Sequence, residues 1–118
     1  MTILTSRAIL YARSALEDPS NTAKQLTICR QYAEDKGYLV VAGLTDYGSG
    51  LSLELPQLDH IRQLVNEFDV LVVTEIARLS RNLTKLAIIE DELRQAEVRI
   101  ECVLTIFQSP RKGDNKQC

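Results

Sequence analysis

Residues Asp69–Thr74 read DVLVVT, and the apolar side chains between the two polar ends are consecutive rather than alternating. A strand with one wet face alternates apolar and polar residues. A short β-branched run without alternation is the pattern of a strand covered on both faces, as parallel strands are. Three further runs have this character to either side: RAILYAR (Arg7 to Arg13), YLVVAGL (Tyr38 to Leu44) and VRIECVL (Val98 to Leu104).

Helical patterns separate them. Leu26, Cys29 and Ala33 recur at helical spacing, and Gly37 stands where a helix C-terminus favours glycine. Pro56 suits a first helical position and is followed by Leu58, Ile61 and Val65 on one face. Asn82 is a good N-cap for a third helix whose apolar stripe is Leu86, Ile89, Leu93 and Ala96. Strand alternating with helix predicts an α/β fold: an open, mainly parallel sheet of about four strands with helices on both faces.

The chain has 118 residues, enough for one core without disulfides or metal. Residues 1–106 are expected to form the domain and 107–118 a polar, disordered tail. The net charge of −2 excludes nucleic-acid binding driven by bulk charge, so any DNA contact requires a local arginine cluster. No apolar run is long enough to span a bilayer, and the N-terminus lacks the pattern of a signal peptide; the expected location is the cytoplasm. Cys29, Cys102 and Cys118 with the single His60 make no zinc pattern, so neither metal nor cofactor is expected. The cysteines read as two semi-buried thiols and one tail thiol, and His60 as a surface residue.

Ligands of open parallel sheets bind outside the carboxyl ends of the strands. Three segments are expected to converge there: the end of YARSA (Tyr11 to Ala15), the small-residue loop DYGSGLSLE (Asp46 to Glu54), and EIARLSRN (Glu75 to Asn82).

Taken together these segments resemble the N-terminal catalytic domain of serine site-specific recombinases, the resolvase/invertase family. The resemblance rests on Tyr11-Ala12-Arg13-Ser14-Ala15 at the end of the first strand and Gln25 on the first helix. Asp46, Ser49 and Gly50 follow the second strand, and Ala77-Arg78-Leu79-Ser80-Arg81 follows the third. It implies DNA recombination through a 5′-phosphoserine link, without metal. Arg13, Arg78 and Arg81 would carry the charge of the crowded phosphate, and Tyr11, Gln25 and Ser49 are the candidate contacts to DNA phosphate. The alternative for Tyr11 and Gln25 is a structural role bridging strand to helix, and for Ser49 a plain flexible loop. It also implies DNA and a second copy, or a related recombinase, as partners.

The chain departs from the family pattern where the chemistry lies. The nucleophile position, two residues after the arginine, is Ala15, and Ser14 is one residue early. Side chains alternate along a strand, so Tyr11, Arg13 and Ala15 share one face if the strand persists to residue 15, and Ser14 points to the other. If the chain turns at Arg13, Ser14 enters the pocket as a displaced nucleophile. Leu55 stands where an arginine precedes the loop proline, and Ala77 where an aspartate precedes Arg78. Loss of one such contact costs on the order of a hundredfold in rate, though losses among groups that act as a unit need not multiply. The family's long dimerisation helix and DNA-binding domain are not recognisable after Leu104, so DNA binding by this chain is expected to be weak and salt-sensitive. Two functions remain open: a recombination domain with impaired catalysis, and a pseudo-recombinase that acts as an interaction or regulatory module. The bland reading of the arginines is a solvated edge tied to Glu17, Asp18 or Glu75.

Overall fold

A four-stranded parallel sheet carries the site. In the computed structural model, which describes residues 5–49 and 54–104, the order along the chain is β1 (Arg7–Ser14), α1 (Pro19–Asp35), β2 (Leu39–Tyr47), α2 (Pro56–Gln63), β3 (Val70–Val73), a 3-10 turn (Ile76–Arg78), α3 (Leu83–Gln95) and β4 (Arg99–Cys102). The strands are ordered β2-β1-β3-β4, with every neighbouring pair parallel. The α/β expectation therefore holds. Gly50 and the tail 107–118 lie outside the described residues.

Alternation along β1 divides the core in two. Ile9 and Tyr11 pack with Leu58 and Ile61 of α2 and with Ile89 and Leu93 of α3. Ala8 and Leu10 pack with Cys29 and Ala33 of α1 on the other face. The unbroken β3 sequence is explained by the same split, because Leu71 and Val73 belong to the first cluster and Val70 and Val72 to the second. Near its start β2 carries one extra residue: Ala8 pairs with Val40 but Ile9 with Ala42, leaving Val41 out of register.

The helix ends follow their local chemistry. Asp18 caps α1 by accepting from Asn21 N at 3.1 Å, and Pro19 takes the first turn, where a missing N–H costs nothing. Gly37, at φ 78°, closes the C-terminus of α1 in the left-handed region. Asn82 caps α3 through Lys85 N at 3.0 Å. Leu55, at the N-cap of α2, has no side chain that can do this, and the cap is supplied from the sheet, as described below.

Three expectations need correction. The second helix ends at Gln63 with Leu64 as its C-cap, so Val65, expected on its apolar face, lies beyond it. The second strand runs on to Tyr47, because Asp46 and Tyr47 pair with Arg13 and Ser14; Asp46 is a strand residue, not a loop residue. Cys29 is a buried free thiol whose pKa burial pushes up to about 12, but Cys102 is disulfide-bonded and not a thiol. His60 is exposed, as expected. No helix among the described residues is long and apolar enough to cross a membrane.

Candidate functional site

The sheet opens a crevice at its carboxyl edge. From Arg7 to Ser14 β1 pairs with β2, but it pairs with β3 only from Ala8 to Leu10. Beyond Leu10 the two central strands lose their shared ladder. This is also where the strand order reverses direction, the position at which open parallel sheets bind ligands.

Arg13 fills that crevice. It is only 3% exposed, and each nitrogen of its guanidinium donates to a main-chain carbonyl. Nε donates to Arg78 O at 2.9 Å, Nη2 to Ala77 O at 2.7 Å and Nη1 to Gly48 O at 2.6 Å. One side chain thus joins the ends of β1, β2 and β3, which brings together the three segments singled out in the sequence. Burial lowers the Arg13 pKa from its ordinary value, and the cations of Arg78 and Arg81 add to that effect, against the pull of Tyr11 and Asp46. A guanidinium so shifted is still a cation at any working pH.

The main chain of Arg13 is held from both sides. Gln25 of α1 accepts from Arg13 N at 3.1 Å and donates to Arg13 O at 2.9 Å, so its amide replaces the missing β3 neighbour. Asn21, one turn earlier on α1, orients Gln25 by accepting from its Nε2 at 2.7 Å. From the opposite side Arg78 Nη1 donates to the same Arg13 carbonyl at 3.2 Å. Asn21 was not foreseen; its signal is the four-residue spacing from Gln25 on one helix face.

Asp46 ties the strand end to α2. It is 4% exposed and accepts from the Tyr11 hydroxyl at 2.8 Å, from Gln57 N at 2.9 Å and from Leu58 N at 2.8 Å. The last two are first-turn N–H groups of α2 that have no partner within the helix. The Tyr11 pKa is raised well above the ordinary phenol range, first by burial and then by the bond to Asp46. The phosphate contacts expected of Tyr11 and Gln25 thus meet side chains already engaged inside the protein.

The backbone of β1 sets Ser14 on the strand face opposite Arg13. The β1 ladder continues through Ser14 opposite Tyr47, and Ser14 O accepts from Gly48 N at 2.8 Å, so the chain does not turn at Arg13. With Arg13 directed at the 3-10 turn, alternation sends Ser14 toward α1, on the side of Ala8 and Leu10. Tyr47, its cross-strand neighbour, meets Thr22 of α1 on that side, hydroxyl to hydroxyl at 3.2 Å. Ala15 follows the strand and is exposed.

Arg78 and Arg81 are the cations that reach solvent. Arg78 Nη2 donates to Glu75 at 3.2 Å, while its Nε is buried without a partner among the described residues. Arg81 is exposed and lies near enough to Arg13 for its charge to act there. Ser49 is exposed, next to the Gly48 carbonyl that Arg13 holds. Of the three carboxylates named as possible arginine partners, Asp18 serves as the α1 cap and Glu75 takes Arg78. The Thr74 hydroxyl, at the end of β3, is buried without a partner among the described residues. Those residues contain no group of three or more His, Cys, Asp or Glu side chains that could hold a metal.

Comparison with known proteins locates this arrangement among its relatives. The family model described as Resolvase, N terminal domain, matches residues 8–114. The Transposon Tn501 resolvase of Pseudomonas aeruginosa and the Transposons Tn1721 resolvase of Escherichia coli are each 42% identical over 57 residues. That stretch is 48% of this chain but 31% of theirs, so the match covers about a third of the length of those relatives. Among solved structures, the C-terminal catalytic domain of ISC1926 TnpA, an IS607-like serine recombinase, superposes with a TM-score of 0.78 at 34% identity. It covers 82% of this chain and 69% of that one. The N-terminal catalytic domain of TP901-1 integrase gives 0.74 at 25% identity, over 82% of this chain and 77% of that one.

Proposed function

Because the chain belongs to the resolvase N-terminal domain family of serine recombinases, we propose that it acts in DNA recombination by holding a DNA phosphate at the crevice between β1 and β3, with strand cleavage impaired. The observation that carries this reading is the convergence of Arg13, Arg78 and Arg81 on one sheet edge. Arg78 and Arg81 meet the phosphate through guanidinium hydrogen bonds, and Ser49 adds a hydroxyl from the facing loop. Arg13, engaged by three carbonyls, positions the loops that carry these groups and contributes charge from behind. Tyr11 and Gln25 act at one further remove, through Asp46 and the Arg13 main chain.

In the family reaction a serine oxygen attacks the phosphorus in line, and the 3′ oxygen leaves with a proton. Here the hydroxyl nearest in sequence, Ser14, faces α1, and Ala15 offers no atom that attacks. That separation supports impairment and also favours a second reading, a pseudo-recombinase that binds DNA, a second copy or an active relative without cutting. In either reading residues 1–106 are the working domain and the cytoplasm is the place of action.

The test is fluorescence anisotropy of a short labelled DNA duplex over a salt series, together with denaturing gels that reveal covalent protein–DNA adducts. We expect salt-sensitive binding, a shallower salt dependence in Arg78→Ala and Arg81→Ala, by up to about 0.9 in log–log slope per lost phosphate contact, and no adduct. Binding unchanged in both variants refutes the phosphate site. An adduct that disappears in Ser14→Ala refutes the impairment.

A further inference from the structure

Arg78 is not idle at the crevice. Its Nη2 donates to the Glu75 carboxylate at 3.2 Å and its Nη1 to Arg13 O at 3.2 Å. Both contacts are longer than the roughly 2.7–2.9 Å of a strong charge-assisted hydrogen bond. The pair stands at the surface, with the Arg78 side chain 27% and the Glu75 side chain 49% exposed. Exposed pairs of this kind hold weakly and break readily. The residue directly before Arg78 is Ala77, which cannot share the guanidinium, so Glu75, three positions earlier, is the carboxylate that Arg78 meets.

A carboxylate presents a guanidinium with the same kind of anionic oxygen acceptors as a phosphodiester does. We propose that Glu75 is an internal competitor for phosphate at Arg78: a carboxylate at the mouth of the crevice, which a DNA phosphate must displace to bind. The inference rests on the reading that Arg78 and Arg81 hold DNA phosphate. A positioning role for Glu75 has the opposite sign, because a residue that holds Arg78 in its working pose helps phosphate bind. A competitor hinders it.

The experiment compares the whole chain with Glu75→Gln, Arg78→Ala and the double variant, using a short fluorescein-labelled DNA duplex and anisotropy at low and moderate salt. Glu75 is exposed, so Glu75→Gln is expected to fold as the parent does, which urea unfolding followed by circular dichroism verifies. Glu75→Gln should bind about twofold to fivefold tighter, the range a released surface ion pair allows. That gain should vanish in the Arg78→Ala background, which separates loss of a specific competitor from a general change in field. If Arg78→Ala weakens binding while Glu75→Gln binds equally or more weakly, the competitor role is overturned and the phosphate site stands. If Arg78→Ala binds as the parent does, the phosphate site fails and the inference fails with it.

Discussion

Replacing Asp46 by alanine puts the strand-to-helix junction to a quantitative test. The side chain accepts three hydrogen bonds in a buried setting: one from Tyr11 and two from the first turn of α2. Removing it withdraws the N-terminal cap of an eight-residue helix whose own N-cap residue, Leu55, cannot substitute. Cap losses cost about 0.5–2 kcal/mol. It also strands the hydroxyl of the fully buried Tyr11, and an unsatisfied buried polar group costs about 1–3 kcal/mol. Together these give a loss of about 1.5–5 kcal/mol, a large share of the stability of a small domain. Urea unfolding followed by circular dichroism reads the difference directly. The double variant Asp46→Ala with Tyr11→Phe removes the stranded hydroxyl and should be less destabilised than the sum of the two single variants. A loss under about 0.5 kcal/mol, or strict additivity in the cycle, refutes the assignment of Asp46 as the shared acceptor of strand and helix.

Thr74→Val exchanges a buried hydroxyl that has no partner among the described residues for a methyl of similar shape and should stabilise the chain by about 1 kcal/mol in the same assay; destabilisation means the hydroxyl has a partner that the described residues do not contain. In alkali, the phenols of Tyr11, Tyr32 and Tyr38 are held above their ordinary value, first by burial and then by bonds to Asp46 or Glu101. The unfolded chain gives up those protons first, so the stabilisation is complete below pH about 10 and drains as pH rises above it; a urea midpoint flat across that range contradicts the assignment. In acid the sign reverses at Glu101: burial acts to raise its pKa, but hydrogen bonds from Tyr32, Tyr38 and Arg99 outweigh that and hold it below the ordinary 4.5. This stabilisation is present above pH 4.5 and is lost as pH falls through the lower folded value; Glu101→Gln should flatten the acid limb of the urea midpoint, and an unchanged limb refutes the contribution.

Much of the architecture was legible because it depends on local periodicity. The unalternating VLVV of β3 could satisfy both core clusters only as a strand buried on both sides, and that is where it lies. The Asn82 cap and the Gly37 terminus are likewise decided within a few residues of chain. The end of β2 was not legible. The sequence puts Asp46 and Tyr47 in the small-residue loop after the strand, yet pairing with Arg13 and Ser14 and the demand of an uncapped α2 keep Asp46 in the strand. The 3-10 turn at Ile76–Arg78 was equally hidden, since it is built around carbonyls that Arg13 draws in from 64 and 65 positions away.

The site divides along the same line. By itself the sequence determined that Arg13 closes the first strand and that Arg78 and Arg81 follow the third, that Ala15 has no attacking atom, and that Ser14 stands one residue before the nucleophile position. Tertiary structure alone decided which of these groups remain available. Tyr11, Gln25 and Arg13 are engaged by partners 12 to 65 residues distant, whereas Arg78 keeps a foothold in solvent beside Glu75. The physical reason is that periodicity settles which face a side chain takes, while a hydrogen bond is settled by whichever partner the fold brings within about 3 Å of it.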